Sequence, residues 1–377
     1  MEIQLRYLGR LSRQNWPRMS SNIIAAARPG LNAPSSNSVC QISIINTTCD
    51  IVVPTDSAVE PLISGYKWLN LPTYSFYIKN EHLGREVLFD LGMRKDWQNS
   101  VPHIRDTVAA QVNGLNIKMD VPEILSEGTV DLNNIEAFIM SHWHWDHCGA
   151  PEALPKSVKV IVGPGFRDAF LPGWPTNANS PFHEADFDGR EVIEAPFSEG
   201  FKIGQFQAYD YFGDGSLYVL DVPGHAIGHV GALVRTTPET FVFLGGDVCH
   251  SNGAIRPTQY IPMPDPIPAV TAFTNRLIAS PCPCAAFSTC HPDQEHSRTV
   301  RITRMKPYDA GSALTFSLFR VLFLKLPPLQ PHSSLIHLSH RSLSLPLPSL
   351  TQIQMCWSPS RMIRLPSWSL TSSRMAL

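Results

Sequence analysis

The stretch Ser141-His142-Trp143-His144-Trp145-Asp146-His147 limits what this chain can fold into more than any other. Three imidazoles and one carboxylate fall within six consecutive residues, His142 to His147. Apart from Glu136, residues 135–140 before it are apolar, β-branched or aromatic, and they read as a short buried strand. In the extended residues that follow, side chains two apart share a face, so His142 and His144 point the same way. Asp146 and His147 come after a turn and reach a second point nearby. Burying so polar a cluster without compensation is costly. Nitrogen and carboxylate donors of this kind suit zinc, or a neighbouring first-row metal such as manganese or iron.

Two further motifs follow in order. Asp221-Val222-Pro223-Gly224-His225-Ala226-Ile227-Gly228-His229 is a Pro-Gly-His turn, and Phe241-Val242-Phe243-Leu244-Gly245-Gly246-Asp247 is a strand that ends in an aspartate. Together with His-x-His-x-Asp-His these resemble the metallo-β-lactamase-fold hydrolases, and residues 40–300 look most like their fungal and bacterial lactonase and lactamase branch. The resemblance implies an α+β chain in an αββα sandwich holding two zinc ions. His142, His144 and His225 would sit on the first, Asp146 and His147 on the second, with Asp247 bridging. Asp146 would also hold the nucleophilic water. His229 is expected to support the site rather than ligate, because the turn from Gly224 carries it past the metal.

Along the chain, strands are expected at 39–45, 73–78 and 86–90, the last two joined by a turn at Gly84. Asp90 then reads as a turn residue behind the ligands. Residues 94–119 read as a lid or a surface helix, and Pro122 sits where the first turn of a helix tolerates it. A strand at 158–162, a helix from Phe166 and an irregular Pro/Gly-rich loop at 171–181 follow. Phe170, Leu171 and Trp174 could wall an apolar pocket. Further strands are expected at 191–195, 206–211 and 217–220. Tyr211 and Tyr218 are candidate donors to a developing oxyanion. His250 is a candidate substitute ligand, whereas His183, His291 and His296 read as ordinary surface or capping residues. Cys148 reads as a small buried residue.

The 377 residues allow one large domain or two smaller ones, and 43% apolar residues allow a sizeable core. A net charge of −2 argues against a nucleic-acid partner. Scattered cysteines without a disulfide framework and no leader-like segment point to a reducing, cytoplasmic setting. Residues 1–38 read as a poorly ordered arm or a mis-assigned start, 39–305 as the catalytic domain, and 306–377 as a low-complexity tail. Of the 39 residues from Ser312 to Leu350, 28 are Ser, Leu, Pro or Phe, a bias that no globular period explains. Charges and prolines interrupt every apolar run there, so a membrane span is not expected. The family's fourth histidine is missing. Reading the codons of Gln354 to Arg364 from a shifted frame can restore an apolar strand ending in His-Asp, so this tail is expected to be intron-derived or out of frame.

The expected function is metal-dependent opening of a small cyclic ester or amide, a lactone or lactam such as a benzoxazolinone-type compound, by a metal-bound hydroxide. The partner is then a small-molecule substrate, with no nucleic acid and no membrane. Thioester hydrolysis of the glyoxalase type, iron-dependent persulfide oxidation and an inactive truncated product are the alternatives.

Overall fold

A computed structural model describes residues 23–62 and 66–266, then His291, Asp293, Glu295, His296 and Arg301, and the backbone of two short strands beyond. In chain order the strands are β1 Gln41–Pro54, β2 Val59–Glu60, β3 Trp68–Asn80, β4 Arg85–Phe89, β5 Gly114–Asn116, β6 Ile135–Ile139, β7 Lys159–Val162, β8 Val192–Glu194, β9 Lys202–Ile203, β10 Phe206–Asp210, β11 Leu217–Asp221, β12 Val230–Thr237, β13 Thr240–Leu244, β14 Arg304–Met305 and β15 Met362–Arg364. The α-helices are α1 Pro102–Gln111, α2 Val121–Glu127, α3 Trp145–Cys148, α4 Phe166–Phe170 and α5 Glu184–Phe187.

The first sheet has the order β15-β1-β3-β4-β6-β7-β8, with β5 also on β1; the second has the order β13-β12-β11-β10-β9. β4, β6, β7 and β8 are parallel to one another, so the carboxyl ends of β4, β6 and β7 lie at one edge, where α/β folds place their sites. Strand alternation builds the layers. In β4, Leu88 packs outward with Ile124 and Leu125 of α2. Its neighbours Val87 and Phe89 turn inward against Val219, Ala232 and Leu244 of the second sheet. In β11, Leu217 and Val219 face the same interior, while Tyr218 and Leu220 face out. Strands buried on both faces explain the near-continuous apolar runs of the sequence. Truncating Phe89 to alanine should cost about 3–5 kcal/mol.

The first sheet carries α2, α4 and the Phe166, Phe170, Phe182 and Phe187 cluster on its outer face. Among the described residues, the outer face of the second sheet is covered by phenylalanines and by the segment around Leu31. That segment differs from the expected loose arm. Leu31 is buried, Gly204 N–H donates to its carbonyl, Arg235 donates to Pro34 O and Ser36 to Asp214 O. A polar, aperiodic stretch is thus fixed by bonds to backbone carbonyls, which leave no pattern in side-chain hydropathy. β1 also runs past the expected end at Ile45 as far as Pro54. A register shift between Asn46 and Asp50, with Thr48 at φ 59°, interrupts the pairing with β3 that the strand then resumes.

From the tail, Met362–Arg364 pairs antiparallel with Ser43–Ile45 at the edge of β1. The other residues of the 306–377 tail, residues 1–22 and the Cys282-Pro283-Cys284 run lie outside the described residues. No described helix is long and apolar enough to cross a membrane.

Candidate metal centre

The centre forms where the two sheets meet at one edge. β6 delivers Ser141, whose carbonyl accepts from Val230 N–H of β12 at 2.8 Å and so ties the sheets together. Asp90, at φ 57° just past β4, is buried and holds two parts of the motif at once. Its Oδ1 accepts from Ser141 N–H at 2.7 Å, and its Oδ2 faces His147 Nδ1 at 2.8 Å. The turn role expected for Asp90 is therefore joined to orientation of an imidazole. His144 precedes α3, whose single turn presents Asp146 and His147. The second sheet supplies His225 from the loop between β11 and β12, and Asp247 just past β13. Gly246 makes that last step feasible. It has φ +54°, and a Cβ there would lie 2.9 Å from Ser141 Cβ and 3.0 Å from His229 Nε2.

The structure brings all six predicted residues together in two groups. His142, His144, His225 and Asp247 form one, and Asp146, His147 and Asp247 the other; within each, one donor atom per residue lies within 4.8 Å of all the rest. In the first, His142 Nε2 and His144 Nδ1 are 2.8 Å apart, His225 Nε2 is 3.0 Å from His144 Nδ1, and Asp247 Oδ2 is 3.3 Å from His225 Nε2. In the second, His147 Nε2 is 3.0 Å from Asp247 Oδ1 and 3.6 Å from Asp146 Oδ2. Bonds of about 2.0 Å to a tetrahedral zinc put ligand atoms roughly 3.3 Å apart, so these spacings suit one ion in each group. Ring nitrogens facing away from the groups are held too: His142 Nδ1 meets Ser141 Oγ at 2.9 Å and His147 Nδ1 meets Asp90. Such outer bonds fix the tautomer that leaves the inner nitrogen available.

Burial, and then neighbouring imidazoles, hold His142 and His144 well below the usual histidine range. His147 behaves oppositely. Burial alone would lower it, but the carboxylates of Asp247, Asp146 and Asp90 raise it well above that range. Burial would raise Asp247, yet His147 and the other surrounding imidazoles hold it well below the usual carboxylate range.

His229 takes the supporting place expected of it. Its Nδ1 donates to Val222 O at 2.9 Å, and its Nε2 accepts from Asp247 N–H at 3.1 Å. Burial pushes it down to about 3, so it stays neutral with both nitrogens committed. Cys148 is buried, with Sγ 3.0 Å from His144 O. His183 meets the backbone carbonyl of Asn99, while His291 accepts from Asp293 N–H and His296 pairs with Asp293, so none of the three joins a donor group.

The tyrosine expectation is overturned. Tyr211 donates to Glu136 at 2.9 Å, near the start of β6 and away from the centre. Tyr218 is fully buried in the cluster on the outer face of the second sheet. Strand parity told which face each would share, not which end of the sheet. The expected pocket wall also divides. Phe170 packs with Trp143 in the helix-side core, whereas Trp174 joins Trp97, Trp145 and the buried Ile104 and Val108 of α1. Residues 94–119 thus pack an apolar face beside the residue preceding Asp146. The link from His250 Nε2 to Asp247 Oδ2, 2.8 Å, was legible only as nearness in sequence.

No family model matches the chain. Among curated proteins it is 42% identical over 285 residues to the γ-lactamase FDB1 of Fusarium pseudograminearum, covering 72% of this chain and 67% of that one. It is 41% identical over 220 residues to the γ-lactamase MBL2 of Gibberella moniliformis, covering 56% of this chain and 89% of that one. With the metallo-hydrolase mfmC of Annulohypoxylon moriforme it shares 41% over 242 residues, 63% of each. At this identity, over two thirds of FDB1 and most of the MBL2 length, and with the motif residues gathered in one centre, the chain belongs to the lactonase/lactamase-like fungal branch of the metallo-β-lactamase-fold hydrolases.

Proposed function

We propose that the protein is a zinc-dependent hydrolase that opens a small lactam or lactone ring, with two ions held by the residues above. The observation that carries this is the pair of donor groups sharing Asp247. The γ-lactamase relatives favour a cyclic amide within that class. His142, His144, His225 and Asp247 would hold one ion; Asp146, His147 and Asp247 would hold the other. Zinc bound in such a site supplies hydroxide near neutral pH and polarises a carbonyl.

The chain's own residues orient and hold protons around that chemistry. Asp146, in the group with His147 and Asp247 and with its side chain 19% exposed, would hold the nucleophilic water. Asp90 and Ser141 lock the imidazoles. The apolar group of Trp97, Trp145 and Trp174 shields one side. The test is a hydrolysis screen of zinc-loaded protein against lactams, benzoxazolinone among them, lactones and thioesters, with metal content measured in parallel. Ring opening with about two zinc ions per chain is expected. Thioester cleavage alone would move the reading to a glyoxalase type. Bound iron with oxygen uptake would replace it with an oxidative one.

A further inference from the structure

Asp247 stands among four imidazoles. Three belong to the donor groups: His147, His225 and His142 approach it at 3.0, 3.3 and 3.7 Å. The fourth, His250, approaches closer than any of them, with Nε2 2.8 Å from Oδ2, and yet is part of neither donor group. The backbone brings it there: a turn closed by Val248 N–H on Gly245 O folds the chain back past Asp247. Its side chain is 16% exposed, and its ring lies 5.4 Å from that of His225.

An ionised carboxylate only accepts, and each of its oxygens offers two lone pairs. Against it, His250 Nε2 must be the donor. Oδ2 can therefore take the His250 N–H on one lone pair and keep the other for the first group, while Oδ1 turns to His147. His229 fixes the same residue from behind through its backbone N–H. We infer that His250 is a positioning residue for Asp247, setting the carboxylate plane so that one oxygen faces each donor group. The inference rests on the reading of Asp247 as the donor shared by two metals.

The test compares the full-length protein with His250→Ala and His250→Gln, each checked for folding by circular dichroism. Zinc retention is measured against rising chelator, and the visible spectrum is recorded with cobalt(II) in place of zinc. Loss of a bond that orients a ligating carboxylate typically weakens metal binding about 10–100-fold. His250→Ala should lose metal at correspondingly lower chelator concentration and show an altered cobalt spectrum. His250→Gln, whose amide N–H can donate to the same oxygen, should recover most of the affinity and the wild-type spectrum. An alanine variant within twofold of wild type would overturn the inference. So would a glutamine variant as deficient as alanine, the behaviour of a lost direct ligand. Wild-type protein that takes up neither metal would instead sink the metal-hydrolase reading, and this inference with it.

Discussion

The two halves of the centre are built unlike each other. The first draws four donors from both sheets, with His142 and His144 beyond β6, His225 before β12 and Asp247 beyond β13. The second draws Asp146 and His147 from the single turn of α3, shares Asp247, and has no fourth donor among the described residues. A complete tetrahedral set is how a strongly held zinc is bound, whereas three protein donors leave a position open. With four donors, the first half would therefore hold an ion more firmly than the three donors described in the second.

Asp247→Ala is the harshest probe of that comparison, since it takes a donor from both halves. Metal content should collapse and turnover fall by well over the ~100-fold that loss of a supporting residue can cost. Retention of two ions would refute the shared-donor geometry. Asp146→Asn touches only the second half. It should nearly abolish ring opening while the fold and the first ion persist; activity within a few-fold of wild type, with metal bound, would break the two-metal reading. His229→Ala removes support from Asp247 without removing a donor, and should weaken metal binding about 10–100-fold, less than His225→Ala does. The reverse ranking would mean that ligand and support are exchanged.

How far these residues could be read in advance follows from where their contacts come from. His142 to His147 lie within one short stretch, so their partnership is local and visible in the sequence. His225 and Asp247 were legible through the motifs that carry them. The bonds of Asp90 and His250 were not, because each depends on a turn that folds the chain back on a distant or adjacent residue. Tyr211 and Tyr218 were misplaced for a related reason: alternation assigns a face but leaves position along the strand open. The packing of the Leu31 segment is not legible in the sequence, because its anchoring bonds end on backbone carbonyls.

Two smaller effects sharpen the contrast. The first half depends on a close approach between loops, for a Cβ built on Gly163 would collide with the backbone of Gly228, three residues past His225. Gly163→Ala should destabilise the protein by about 1–3 kcal/mol and weaken metal retention at the first half; an unchanged melting temperature would show that the loop yields freely. The second half rests on a small cavity lined by Trp145, Cys148, Gly149, Arg94 and Asp186. Burial, and then the charge of Glu152, push Asp186 up to about 7. Between roughly pH 4 and 7 the folded state then holds a proton that the unfolded state has released, so stability falls as pH rises through that window. Asp186→Asn should flatten that slope in melting temperature. Parallel curves for the two proteins would exclude the buried acid as its source.

The bond from Val230 N–H to Ser141 O lies where the sheets meet, and the first donor group straddles the same seam. An ion held there would act as a rivet between two plates that otherwise meet mainly through apolar side chains. Metal supply would then set the protein's lifetime as well as its activity, because binding only the folded state adds stability that grows with free metal.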